Sequence, residues 1–297
     1  YAHLAALHAK GFTSRSCAIS NPRNCRRTRS GRSWGKKEGN CSREDKEAGL
    51  GDCWDVDILD VGSRAVIVRR HGPRPAQTIN AAFAELKERL APDHVPGLLT
   101  SDEHGPYVEA ALVTFGKQVP ATPRRASGGR PPLPTLEPDP KLVYAQVDKK
   151  RSPTGRLEKV ETRQIFGTPQ ALAQRLEDSQ TSRRVNTAFL ERENGVDRHF
   201  NPRKARQVCE FSKSPAEHRA VSWLTLTLNI FCWAVRTLTE NRPETSGSRG
   251  CSPAMALGRA DRVLTVGEFI RLRPLGFNPP PVRDIRLKKT EFHQPER

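Results

Sequence analysis

Apolar residues recur along this chain at two spacings, every second position and every third to fourth, and the switches between them predict its elements. In "WDVDILDVG", Val56 and Ile58 alternate with Asp55 and Asp57, the pattern of a half-buried strand whose acidic face is exposed. "SRAVIVRRHG" follows as a second strand, with Gly62 at the turn, so the two form a hairpin. "TINAAFAELKERLA" then places Ile79, Ala82, Phe83, Leu86 and Leu90 on one helical face, and Pro92 stops the helix. The short apolar run in "VPGLLTSDEHGPY" predicts a strand that ends in polar residues, and "YVEAALVTFG" predicts a second helix ending at Gly116.

Beyond Gly116 the pattern is interrupted. Residues 120 to 140, "PATPRRASGGRPPLPTLEPDP", are too rich in Pro, Gly and Arg to pack a core and read as an exposed basic loop. "KLVYAQVDKKRSPTGRLEKVETRQIFG" gives two further strands around a basic turn from Lys149 to Arg156. Thr168 and Pro169 mark one helix start, and Ser214, Pro215 and Glu217 mark another with the spacing of a capping box. The most apolar run, 220 to 235, is shorter than a bilayer span and carries Ser, Thr and Asn, so it reads as a buried helix, and no membrane partner is expected. From about Thr239 the signal weakens toward a polar tail, and no signal-peptide pattern or internal repeat is visible.

Composition adds a partner class. The 297 residues suffice for one large or two modest domains, and a formal charge of +17 with pI near 10.1 favours a polyanion, because each neutralised phosphate releases condensed counterions. The seven cysteines show no C-x-x-C pair and no His at zinc-finger spacing, so neither a zinc site nor a disulfide framework is expected, and reduced thiols in a cytoplasm are the default. The basic excess is uneven: from Tyr1 to Trp34 the chain has seven Lys or Arg and no carboxylate, the first being Glu38.

Two carboxylates stand where chemistry could be done. Asp102 ends the strand in "GLLTSD", and Glu191 lies in "VNTAFLERENGVDRHFN", a helix with Asn186 available as its cap and with Glu191, Asn194 and Arg198 on one face. Carboxylates from separate elements suit Mg²⁺ or Mn²⁺, which prefer oxygen ligands. Arg198, His199, Arg203, Lys204, Arg206 and Lys213, just beyond, are candidates for holding a phosphate backbone.

"LLTSDEHGPYVEAALVTFG", "VNTAFLERENGVDRHFNPRKARQVCEFSK", "LNIFCWAVRTL" and "SPAMALGRADRVLTVGEFI" together resemble, from about Gly35 to Leu272, the DDE transposases of small bacterial insertion sequences of the insertion-sequence-one kind. The resemblance implies an α/β, ribonuclease H-like mixed sheet with flanking helices over residues 35–238, interrupted by the insertion at 120–140 and followed by an extension and tail at 239–297. It implies transposon-end DNA as partner, a homo-oligomer, and a place at the nucleoid in a bacterial cytoplasm. It also implies two Mg²⁺ or Mn²⁺ ions held by an Asp-Asp-Glu triad for DNA strand cleavage and transfer, of which Asp102 is the second Asp and Glu191 the Glu.

The first Asp of that triad is missing. The family's opening strand carries it in a phrase like D-E-(apolar)-W-S-F-V-G-K-K, whereas this chain has "RRTRSGRSW" before Gly35, Lys36 and Lys37. If the coding bases before Gly35 are read one position displaced, Thr28 to Trp34 contribute the fixed pairs AC, AG, TC, GG, CG, TC and TG, which permissible wobble bases complete to D-E-V-W-S-F-V. Residues 1–34 are therefore read as frameshifted, with the opening strand missing or corrupted and the chain inactive as written. A purine run encoding Gly-Lys-Lys is where the frame could return. The competing reading, a disordered basic arm or a noncatalytic nucleic-acid-binding protein, explains the composition but not the hidden phrase. Asp52, Asp55, Asp57 and Asp60 are the nearest substitutes for the lost ligand, but they sit on or near a different strand.

Overall fold

The computed structural model describes residues 17–19, 33–34, 38–119, 134–204, 212–241 and 248–271, apart from 48–49, 73–74, 180 and 213. Its main sheet contains β1 (Cys17–Ile19), β4 (Trp54–Asp60), β5 (Ala65–Gly72), β6 (Leu99–Asp102), β9 (Tyr144–Arg151) and β10 (Leu157–Phe166), in the spatial order β10-β9-β6-β1-β4-β5. Three antiparallel two-stranded ribbons accompany it: β2 (Ser33–Trp34) with β3 (Gly51–Asp52), β7 (Gly116–Val119) with β8 (Thr135–Pro138), and β11 (Val235–Asn241) with β12 (Ser248–Cys251). The helices are α1 (Arg43–Glu47), α2 (Pro75–Arg89), α3 (Gly105–Phe115), α4 (Pro169–Glu177), α5 (Ala188–Phe200), α6 (Pro215–Cys232), α7 (Pro253–Ala256) and α8 (Val266–Arg271). The architecture is mixed α/β.

Strand direction changes at the centre of the sheet. β1 runs antiparallel to β4, which runs antiparallel to β5, whereas β1, β6 and β9 are parallel. Parallel neighbours need crossovers, and α3 together with the β7–β8 ribbon supplies the one between β6 and β9.

Two cores lie on the two faces. Val56, Ile58 and Ile67 pack with Ile79, Phe83 and Leu86 of α2 and with Tyr107 and Phe115 of α3. On the opposite face Leu59 and Val66 pack with Leu190 of α5, Leu226 and Ile230 of α6, and Ala254 and Phe269 beyond them. Covering both faces corrects the expectation of an exposed acidic strand face. Asp55, Asp57 and Asp60 are buried, because α5 and α6 lay apolar cover on that face while partners reach the carboxylates from elsewhere: Arg69 of β5 for Asp57, Ser63 of the β4–β5 turn for Asp60, and Lys204 of the Pro202–Lys204 turn for Asp55.

Three further expectations are corrected. A strand, β1, fills the centre of the sheet from within the opening segment that was expected to supply none; Cys17–Ile19 is a short apolar step in an otherwise polar stretch. The end of the 120–140 segment is not loop, since Thr135–Pro138 pairs with Gly116–Val119 and Asp139 is buried against Lys117. The boundary expected at 238 falls inside β11, and α7 and α8 pack on α6, with Phe231 and Phe269 rings 5.9 Å apart. Among the described residues no helix is long and apolar enough to cross a membrane. The apolar run 220–235 forms α6 only to Cys232, and it is amphipathic rather than buried all round, with Leu224 exposed.

Candidate functional site

Asp102 is placed by the end of β6, where the backbone leaves the sheet for α3. Glu191 is placed by the first turn of α5, whose N-cap is Thr187; Asn186, the expected cap, instead accepts from the Ala188 amide at 3.1 Å. The structure brings Asp102 and Glu191 together around one ammonium group. Lys149 Nζ lies 3.6 Å from Asp102 Oδ1, forms an ion pair with Glu191 Oε1, and donates to Thr187 Oγ1 at 3.0 Å. Thr187 Oγ1 in turn donates to Glu191 Oε1 at 3.0 Å. Burial, opposed by Lys149 and reinforced by the nearby Glu191 charge, lifts the Asp102 carboxyl above the usual range.

This geometry allows a fit test for Mg²⁺ or Mn²⁺. Asp102 Oδ1 is a buried oxygen with no hydrogen-bond partner, and Glu191 is half exposed, so a hard cation could take one oxygen from each and keep water elsewhere. The donor set stops there. No carboxylate precedes Glu38 in the chain, and Lys149 already supplies the positive charge between the pair. These residues suit one weakly held ion and do not complete a two-metal site.

Residue by residue, the basic segment after Glu191 divides. His199 is exposed and packs edge-on against Phe200 at 5.1 Å, Arg198 is partly exposed at the end of α5, and Arg203 is partly exposed with Glu217 at 3.7 Å. Lys204 was expected to hold phosphate and does not face solvent. It is wholly buried, with Nζ 2.7 Å from Asp197 and 3.0 Å from Asp55, because the short 3-10 turn Pro202–Lys204 folds it back under α5. Arg206 and Lys213 lie outside the described residues.

Lys204 belongs to a buried charge network beneath the site. Arg69 of β5 donates from Nε and Nη2 to the two oxygens of Asp57 at 2.8 and 2.7 Å, and from Nη1 to Asp197 at 3.1 Å. Burial alone would push the Asp197 carboxyl up, but Arg69 and Lys204 outweigh it and hold it at about 2. Burial and Arg69 oppose the Lys204 charge, yet Asp55 and Asp197 keep its pKa above the usual lysine value. Lys149, Thr187 and Asp197 were not singled out from sequence. In the sequence Lys149 is only the start of a basic turn, and nothing in its local pattern marks it as facing two distant carboxylates.

Compared with known proteins, the chain matches no family, no curated protein and no solved structure.

Proposed function

We propose that this chain is a transposase-family protein with a ribonuclease H-like core that retains two of three metal-binding carboxylates and is inactive in DNA strand transfer as written. The observation that carries the reading is the convergence of Asp102, from the end of a parallel central strand, and Glu191, from a helix crossing the same face, in a sheet whose first three spatial neighbours are antiparallel and whose next are parallel. Asp102 and Glu191 would be the residues to hold a divalent ion, which when bound would supply activation of an attacking oxygen and stabilisation of a leaving one. This chain's own residues supply less: Asp102 and Glu191 a partial grip, Lys149 a competing charge, and Arg198, His199 and Arg203 an exposed basic edge for a DNA backbone.

Strand registers support the place of the missing ligand. Carrying the Ile19↔Ile58 and Ile19↔Ser101 pairings one residue further sets Asp57 and Asp102 at the same level, on either side of the slot that β1 fills. Side chains at one level of a sheet share a face, and both Asp57 and Asp102 face α5, so a carboxylate there would face Glu191.

The second reading, a noncatalytic nucleic-acid-binding protein, is favoured by the charge of +17 and by Lys149 lying between the two carboxylates. DNA binding measured with and without Mn²⁺ separates the two. A transposase-derived site makes binding to DNA respond to Mn²⁺ and lose that response in Asp102→Ala, whereas a basic binder is indifferent to both.

A further inference from the structure

A second constellation lies on the same side of β4, away from Asp102. Cys53 and Asp55 are two residues apart in extended chain and so share a face, and the first turn of α6 lays His218 against them. Cys53 Sγ is 3.7 Å from Asp55 Oδ1, His218 Nε2 is 3.4 Å from the same oxygen, and the three donor atoms all lie within 4.8 Å of one another. Zinc bonds of about 2.3 Å to sulfur and about 2.0–2.1 Å to nitrogen or oxygen give a tetrahedron with edges of roughly 3.3–3.6 Å. The two observed separations are close to those edges.

We propose that Cys53, Asp55 and His218 form a three-ligand zinc-class site that ties the start of β4 to α6, with the fourth coordination position left to water. The outer partners are those a metal site requires. Ser212 Oγ meets His218 Nδ1 at 2.8 Å, which leaves Nε2 directed at Asp55, and His71 Nδ1 meets Asp55 Oδ1 at 2.7 Å, fixing the carboxylate. The His71 and His218 rings meet edge-to-face at 5.3 Å, so the pocket has little freedom to rearrange.

Charge balance supports a cation there. The network around Asp55 holds three carboxylates, Asp55, Asp57 and Asp197, against two permanent cations, Arg69 and Lys204, all of them buried. Among these five side chains the carboxylates outnumber the permanent cations by one, and a zinc ion with Cys53 as thiolate adds one net positive charge beside them. The absence of C-x-x-C spacing does not exclude the site, because its ligands come from the start of β4 and from a helix far along the chain.

The test uses the full chain stripped with a chelator and then titrated with Zn²⁺ or Co²⁺. One zinc per chain should bind, and thermal unfolding should rise by about 5 °C or more at a hundredfold excess over Kd. Co²⁺ should give a thiolate charge-transfer band that disappears in Cys53→Ser and persists in Cys232→Ser. Zinc should stabilise Asp102→Asn as it does the parent, which separates this site from the Asp102–Glu191 pair, and Mg²⁺ should not substitute. An unchanged melting temperature with no cobalt–thiolate band in the parent chain overturns the proposal, whatever the variants do. So does a melting temperature that depends on pH through the histidine range and is indifferent to zinc.

Discussion

Replacing Lys204 by Met tests whether the charge network under the site is structural. The change keeps most of the side-chain length and removes the ammonium that contacts Asp197 at 2.7 Å and Asp55 at 3.0 Å. Asp197 retains Arg69, and Asp55 retains His71 and His218 but loses its ammonium contact, in a pocket where Lys204 itself is wholly buried. Removing one partner of a buried pair costs about 3–5 kcal/mol, against total stabilities of about 5–15 kcal/mol. With a urea dependence of about 2–3 kcal/mol per molar, the unfolding midpoint should fall by roughly 1–2 M. Arg203→Gln is the control, since its contact with Glu217 is exposed and worth about 0–1 kcal/mol. Equilibrium urea unfolding followed by circular dichroism reads both, and the salt dependence of DNA binding by folded Lys204→Met should match the parent. A stability loss below about 1 kcal/mol, together with a flatter salt slope, would mean that Lys204 contacts phosphate and that the buried network is wrong.

Neutralising Arg198 and Arg203 together should flatten the slope of log affinity for DNA against log salt by up to about 2, one phosphate contact each, and an unchanged slope would remove α5 from the interface. Lys149→Ala should raise Mn²⁺ affinity at the Asp102–Glu191 pair by about tenfold, read by titration calorimetry, with the gain lost on adding Asp102→Asn; no gain would show that Lys149 does not compete for the ion. Burial pushes the Glu193 carboxyl up to about 7, against the opposing charge of Arg69. Because the folded state holds that proton more tightly than the unfolded chain, stability should fall as pH rises from about 4.5 to 7, and Glu193→Gln should remove that part of the pH dependence.

Much of the β4 to α3 region was legible because its periods are clean. Ile79, Ala82, Phe83 and Leu86 are buried on one face of α2, as their spacing predicts, and Leu90, one residue past its end, is buried with them. The caps were legible for the same local reason: Thr168 accepts from the Ala171 amide, and Ser214 from the Glu217 amide. What failed was long-range. The Asp55–Asp57 face looks solvent-exposed until Arg69, Asp197 and Lys204 arrive from three other segments, and no periodicity encodes ion pairs between residues so far apart. Lys149 was illegible as a site residue for the same reason. The C-terminal region was underestimated because its elements are short: α7 has 4 residues and α8 has 6, too few to show a helical period, yet Ala254 and Phe269 are buried on α6.

The central claim is that this chain lacks one carboxylate of a three-carboxylate metal site. Its most direct measurement is Mg²⁺- or Mn²⁺-dependent nicking of supercoiled DNA carrying candidate ends, by the chain as it stands and by a variant whose residues 17–34 are replaced by M-R-N-L-E-S-A-E-L-Q-A-D-E-V-W-S-F-V. The chain as it stands should nick no faster than buffer, because two carboxylates leave the ions underbound and the attacking oxygen misplaced. The replaced variant should nick in a metal-dependent way and lose that activity when the aspartate opening D-E-V-W-S-F-V becomes asparagine. Metal-dependent nicking by the original chain, abolished by Asp102→Ala, would contradict the account, as would equal nicking by the replaced variant and its asparagine form.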